Sequence, residues 1–378
     1  MKRFACLVAL LVFASLARGE EPKSFPAAKH GKGELKYVEN VPLLVVKGKP
    51  AEMGEQFGKL AILNAPGLTD LHKQFLEDAG QTKFYPFLEG MSKKLKPNFP
   101  AHIATELESA AKASGREEGL LLFANTIADL TSGLGCSTII VEKDRSKTGA
   151  PIFGRNFDWQ PTKGITEHTL VVVYKGEGKR AFAAMTVSPI TGVISGMNDA
   201  GLCVTINEIS IKRSKDKPEF NWKGTPLLLT FRRVLEECAT VSEAEKLLRD
   251  LPRTTTCCMT ICDKSGGAVF ELTPNNLEVR KHVNGVCCCT NHFRSDALSV
   301  TTKCDRYDAL SPLQNKDAAK LSVKDVFAEL DKVQQGKHTL QCMVFEPVER
   351  VLHLAYGTGS ATRIAPVKLE LGKMFDEK

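Results

Sequence analysis

The stretch Gly133-Leu134-Gly135-Cys136-Ser137-Thr138-Ile139-Ile140 marks where the chain changes character, and Gly154-Arg155-Asn156-Phe157-Asp158-Trp159 follows about twenty residues later. Before it, from Pro50 to about Leu130, apolar residues recur at three- and four-residue spacing. That period predicts helices over Phe84 to Leu95, Pro100 to Ala113 and Glu117 to Leu130, with Pro or Gly at most junctions. Pro50-Ala51-Glu52-Met53 opens a further helix, with proline in the first turn and an acid beside the positive helix end. After Thr138 the pattern becomes short β-rich runs between Gly, Asn, Asp and Lys turns. Strands are expected at Thr138 to Val141, Pro151 to Trp159, Thr169 to Tyr174, Ala181 to Val187, Val193 to Met197 and Leu202 to Ile209. Others follow at Thr256 to Cys262, Ala268 to Leu272, Gly285 to Thr290, Met343 to Glu346 and Val351 to Tyr356. Helices return at Thr225 to Ala239, Ser242 to Leu251 and Ser322 to Val333; Ser242 with Glu245 three residues on reads as a capping box.

Strand clusters broken by a pair of helices predict an α/β (α+β) fold of two sheets enclosed by helices, preceded by a mainly helical segment. With 43% hydrophobic and 25% charged residues, the 378-residue chain is not disordered, collagenous or a multi-span membrane protein. Residues 1–19 read as an export signal: Lys2 and Arg3, an apolar stretch from Phe4 to Leu16, then Ala17-Arg18-Gly19 with small residues before the cut. The apolar stretch is too short to serve as a transmembrane anchor. The expected location is therefore secreted, or lumenal or periplasmic. The formal charge of +7 falls by three when Lys2, Arg3 and Arg18 leave, and so mild a surplus does not argue for nucleic acid.

Removal of Cys6 leaves an odd number of cysteines, so at least one thiol is unpaired. Most of the others read as small buried residues plus some disulfides. Adjacent cysteines, as in Cys257-Cys258 and Cys287-Cys288-Cys289, point to opposite strand faces and do not easily bond each other. No cysteine has metal-ligand spacing with histidines, and no metal or organic cofactor is implied.

Cys136 follows glycine at the start of the first strand. An ordinary thiol, with a pKa near 8.5, is only a few per cent thiolate at neutral pH. Arg155 and Asp158 supply a cation and an acceptor for it. Taken alone, a Gly-Cys before a strand is equally a disulfide or core residue.

Four segments together carry a resemblance: Gly-Cys at 135–136, Gly-Arg-Asn-Phe-Asp-Trp at 154–159, Met197-Asn198-Asp199-Ala200-Gly201-Leu202 and Thr290-Asn291-His292-Phe293, with Lys303-Cys304-Asp305-Arg306-Tyr307 after them. In type and order they resemble the N-terminal nucleophile cysteine hydrolases. The likeness is greatest to the acyl-coenzyme A:isopenicillin N acyltransferase family (peptidase C45 type), with penicillin V acylase, bile salt hydrolase, acid ceramidase and N-acylethanolamine acid amidase as more distant relatives. The resemblance implies an αββα sandwich at 136–378 and a precursor that cuts itself between Gly135 and Cys136. Residues 20–135 would then remain as a cleaved partner of the larger piece. The freed α-amine would take the proton of its own thiol, making Cys136 both nucleophile and base. The resemblance further implies that Asp158 orients the amine, that Arg155 lowers the thiol pKa, that Asn291 stabilises the oxyanion and that Arg306 braces the cluster. It offers Asn198 as a second polar contact to the oxyanion or substrate.

Each of these residues has a structural alternative: turn capping or a surface ion pair for Asp158, a structural salt bridge for Arg155, a purely structural role for Arg306, and a turn for Asn291. Asn198 in Asn-Asp-Ala-Gly is an equally good turn former. Phe157 and Trp159 read as core or pocket wall. His292 invites a Cys/His protease reading, although the resemblance gives that histidine no role as base. The expected activity is amide hydrolysis or acyl transfer on a small amide or acyl thioester. A papain-like thiol protease is an alternative, opposed by the β-branched residues after Cys136; a non-catalytic, disulfide-rich exported binding protein is another.

Overall fold

The computed structural model describes residues 25–63, 76–77, 80, 82–131, 133, 135–162 and 165–377; the expected signal peptide and Cys6 lie outside the described residues. Among the described residues, sixteen strands, β1 to β16 in chain order, form two sheets. The ten-stranded sheet runs, in spatial order, Ala28–His30 (β1), Gly33–Val38 (β2), Val41–Gly48 (β3), Thr169–Gly176 (β6), Phe182–Val187 (β7), Ser195–Asn198 (β8), Cys203–Glu208 (β9), Cys257–Asp263 (β10), Gly266–Leu272 (β11) and Leu277–Arg280 (β12). The six-stranded sheet runs Val286–Cys289 (β13), Gly135–Val141 (β4), Ile152–Asp158 (β5), Thr339–Glu346 (β14), Val351–Tyr356 (β15) and Val367–Leu369 (β16).

Helices cover the outer face of each sheet, which makes the molecule an αββα sandwich. Pro50–Phe57 (α1), Tyr85–Leu95 (α2), Ala101–Ser114 (α3), Glu118–Leu130 (α4), Leu227–Glu237 (α5) and Val241–Asp250 (α6) belong to the layer on the larger sheet. Asp305–Leu310 (α7) and Val323–Asp331 (α8) lie on the smaller one, and Leu371–Asp376 (α9) closes the chain. The main core fills the space between the sheets and under α1 to α5. A second apolar cluster, including Ile139, Ile152, Cys288, Val326 and Leu330, fixes α8 to the smaller sheet. Gly154 makes that approach possible, because a Cβ there would stand 2.3 Å from Val326 Cγ1.

The segment before Gly135 is less purely helical than its sequence suggests, since it also contributes β1 to β3. Val41-Pro42-Leu43-Leu44-Val45-Val46 is buried on both faces and pairs in parallel with the equally apolar β6, so the alternation that identifies a half-buried strand is missing. The capping box expected at Ser242 is also corrected. Thr240 is the N-cap of α6, its side chain accepting from the Glu243 N–H, while the Glu243 carboxylate accepts from the Ala239 N–H. In the helical layer, Arg232 is completely buried and bonds Glu106 at 2.5 Å and Glu236 at 2.8 Å, so its charge is fully paired.

All eleven described cysteines are free and buried, so the expected disulfides are not formed. Cys288 sits in the outer cluster while Cys287 and Cys289 enter the main core, the opposite-face arrangement that adjacent strand residues impose.

Candidate active site

Strands β4 and β5 pair antiparallel with Cys136 opposite Phe157 and Thr138 opposite Arg155. Thr138 Oγ1 lies 3.2 Å from Thr260 Oγ1 of β10, so this face of β4 looks across to the larger sheet. Cys136, two residues from Thr138, shares it. Pairing therefore brings Arg155 beside the thiol: its Nη2 donates to Cys136 Sγ at 3.1 Å, and its Nη1 donates to Ile194 O at 2.9 Å and Ser195 Oγ at 2.6 Å.

Arg155 is completely buried and forms no ion pair with a carboxylate among the described residues. Burial lowers its pKa, and the nearby thiol and Asp158 counter that. Cys136 is also completely buried. Burial pushes its thiol up to about 11, against the opposing pull of the Arg155 guanidinium.

Three further side chains meet at the backbone of Cys136. Asn291, just after β13, accepts from the Cys136 N–H through Oδ1 at 2.8 Å, and its Nδ2 donates to Glu208 O at 2.8 Å. Arg306 of α7 donates to Cys136 O at 2.7 Å and to Asn291 Oδ1 at 2.8 Å, and its Nη1 lies 3.5 Å from Asp158 Oδ2. Asp158 accepts from Thr339 Oγ1 at 2.6 Å and Gln335 Nε2 at 2.7 Å; burial raises its pKa, and these two bonds oppose the rise. Gly135 is squeezed between these groups: a Cβ there would stand 2.5 Å from Gln335 Nε2 and 3.2 Å from Asp158 Cβ.

Cys136, Arg155, Asp158, Asn291 and Arg306 thus converge, from four separate segments. Asn198 does not join them. Its Nδ2 donates to Leu235 O and Cys238 O, and its Oδ1 accepts from the N–H groups of Ala200 and Leu202. All its hydrogen-bonding capacity is spent on the β8–β9 turn and the end of α5, which is the structural alternative. Asn291 is in place but turns its oxygen, rather than an N–H, toward Cys136. The papain-like alternative fails on geometry, because Cys136 lies near the start of a strand rather than a helix, and no histidine is hydrogen-bonded to it among the described residues.

Two residues were not singled out in the sequence. Asn207 of β9 is completely buried, and neither polar atom of its side chain has a hydrogen-bond partner. It lies two residues from Thr205, which pairs with Thr260, so it faces the same inter-sheet space as Cys136. A buried amide with unmade bonds is costly unless something else fills it. Its neighbour Glu208 accepts from the Gly133 N–H at 3.1 Å, directly ahead of the Gly135-Cys136 bond. The signal was a carboxamide and a carboxylate closing a mostly apolar strand.

Above these residues lies a cleft of about 470 Å³, whose walls include Gly135, Asp158, Trp159, Glu208, Asn291 and Arg306. Cys136, completely buried, does not line it.

Residues 144–361 match the family described as acyl-coenzyme A:6-aminopenicillanic acid acyl-transferase, a span that holds Arg155, Asp158, Asn207, Glu208, Asn291 and Arg306 but not Cys136. An N-acylethanolamine-hydrolyzing acid amidase from Caenorhabditis elegans is 26% identical over 205 residues, covering 52% of this chain and 56% of that protein. The match thus spans little more than half of the relative's length. Among solved structures, a conjugated bile acid hydrolase from Clostridium perfringens is similar with a TM-score of 0.45 at 16% identity, covering 63% of this chain and 93% of that one. Penicillin V acylase from Agrobacterium tumefaciens is similar with a TM-score of 0.43 at 14% identity, covering 63% and 92%.

Proposed function

Because this chain belongs to the acyl-coenzyme A:6-aminopenicillanic acid acyl-transferase family of N-terminal nucleophile hydrolases, we propose that it is an exported, self-processing cysteine amidohydrolase or acyltransferase. In this reading Cys136 Sγ attacks the Gly135 carbonyl, the peptide nitrogen leaves as an amine, and water hydrolyses the resulting thioester. The products are a Gly135 carboxylate and an N-terminal Cys136. The new amine then accepts the thiol proton, the sulfur attacks the substrate amide, the leaving amine takes a proton, and water or an acceptor amine releases the acyl group.

The observation that carries this reading is that both ends of Cys136 are held: the Arg155 guanidinium on its sulfur and the Asn291 oxygen on the nitrogen that cleavage would free. A buried guanidinium without a carboxylate favours thiolate formation, which the low-dielectric site otherwise opposes. Asn207 is the oxyanion donor in this scheme, since its side-chain N–H groups are buried and unspent. Hydrolysis is the preferred outcome, because transfer needs a shaped acceptor pocket that excludes water and the cleft is open and polar. The segment 20–135 stays bound after cleavage as a partner of 136–378.

The test is intact-mass measurement and N-terminal sequencing of purified protein, wild type and Cys136→Ala, with amide turnover by each. Wild type should yield a chain beginning at Cys136, and the variant should stay uncut and inactive. A wild-type chain that stays whole after prolonged incubation across pH refutes self-processing.

A further inference from the structure

Gly135 stands opposite Asp158 where β4 and β5 pair. Its backbone is ordinary strand and lacks the positive φ of Gly133, 134°, so the backbone itself does not demand glycine there. What a larger residue would meet is Gln335, whose Nε2 would lie 2.5 Å from a Cβ at position 135. The next contact, Asp158 Cβ at 3.2 Å, is one that a shift of a few tenths of an ångström relieves.

An exposed glutamine ordinarily swings aside at little cost, but Gln335 is tied down at both ends. Its Nε2 donates to Asp158 Oδ2 at 2.7 Å. Its backbone N–H donates to Thr339 Oγ1 at 2.7 Å, and its carbonyl accepts from the His338 N–H at 3.2 Å. Thr339 Oγ1 in turn donates to Asp158 Oδ1 at 2.6 Å. One short segment therefore grips both oxygens of a buried carboxylate, through charge-assisted bonds. The other charged or titratable groups facing that carboxylate are Arg306 from α7, Arg155 from its own strand, Cys136 from β4 and Cys342 from β14. Burial raises the Asp158 pKa and the bonds from Thr339 and Gln335 lower it, so withdrawing Gln335 lets it rise.

We propose that Gln335 is a positioning residue for self-cleavage, one that holds Asp158 in the uncut chain and thereby restricts position 135 to glycine. This rests on the self-processing reading above. A Cβ at 135 pushes the Gln335 amide off Asp158, and the carboxylate loses a donor. The residue on the acyl side of the cut is thus read by a side chain of the other product.

The experiment follows self-cleavage of the full chain by intact mass, with circular dichroism to verify folding, in wild type, Gly135→Ala, Gln335→Ala and the double variant. One hydrogen bond to a carboxylate is worth about tenfold or more, so each single variant should cut about tenfold more slowly. The double variant should also be about tenfold slower rather than about 100-fold, because both substitutions remove the same bond. Gln335→Met, of similar length but without the donor, should lose more rate at about pH 5 than at about pH 8, since Asp158 then keeps its proton to higher pH. A double variant markedly slower than either single, or a Gly135→Ala chain that cuts at the wild-type rate, overturns the link between position 135 and Gln335 and leaves self-processing standing. A Gln335→Met deficit that is the same at every pH overturns the action through Asp158. A wild-type chain that never cuts overturns the self-processing reading and this proposal with it.

Discussion

The guanidinium of Arg155 lies 3.1 Å from the sulfur of Cys136 and forms no ion pair with a carboxylate among the described residues. The thiol, held up to about 11 by burial, is the nearest group able to become its counter-ion. If thiolate is the attacking species, self-cleavage should accelerate as pH rises from 7 toward 11 and level off above. Arg155→Met removes the cation, and its curve should lie at higher pH with at least a tenfold slower rate near neutrality. Arg155→Lys should fall between, since it keeps charge but not the fork. Cleavage time courses by intact mass, with circular dichroism to verify folding, decide this; superimposable wild-type and Met curves would remove Arg155 from the chemistry.

Asn207 and Asn198 should separate cleanly. Asn207→Ala in cleaved protein is expected to lower kcat by about 100- to 1000-fold with little change in melting temperature, the usual range for one lost oxyanion donor. Asn198→Ala strands four groups now bonded to its side chain, so it should destabilise by about 2 kcal/mol or more and leave kcat per folded molecule near wild type. The opposite pattern returns Asn198 to the site.

Asn291 and Asp158 bear on the nitrogen rather than the sulfur. The Asn291 oxygen accepts from the Cys136 nitrogen in the uncut chain, and under the proposed cleavage that nitrogen would become the amine. Asn291→Ala should therefore slow self-cleavage and amide turnover together, each by about 100-fold. Normal cleavage with lost turnover would give Asn291 the oxyanion role alone. Asp158→Asn should abolish both activities, and normal processing and turnover by that variant would make Asp158 a structural carboxylate.

Stability should depend on pH through Asp129, whose carboxyl is raised to about 7 by burial while it accepts from Thr254 Oγ1 and the Leu227 N–H. The folded protein holds that proton more tightly than the unfolded chain, where the pKa is about 4. Its contribution is full below about 4, falls as pH rises to about 7, and is flat beyond. Asp129→Asn keeps an acceptor oxygen but has no proton to lose. The gap in melting temperature between variant and wild type should thus move in the variant's favour between pH 4.5 and 8, and a constant gap would contradict the assignment.

Helices α2 to α4 were legible because one apolar face recurs between Pro and Gly breaks. The strands from β4 to β9 were legible because turn residues punctuate them. Strand β3 was hidden: its parallel partner, β6, lies more than a hundred residues away, and burial on both faces erases alternation. Strands β12 and β16, four and three residues long, were too short to show a period. At the site, Cys136, Arg155, Asp158, Asn291 and Arg306 were readable from residue type and order. Asn198 was not distinguishable from Asn207 on that basis, since either asparagine could face the thiol until the register of β9 on β10 is known. The orientation of the Asn291 amide is equally invisible in sequence, because it depends on the Glu208 carbonyl from another sheet.

Strand β3 sits inside the larger sheet, hydrogen-bonded to β2 on one side and to β6 on the other. A break between Gly135 and Cys136 would put β3 and β6 on different polypeptides while leaving every ladder bond between them intact. Folding of the whole chain is a unimolecular event, but reassembly after such a break would be bimolecular and slow at low protein concentration. A cut molecule that unfolded would therefore seldom return, and its working lifetime would be set by the rate of unfolding rather than by an equilibrium.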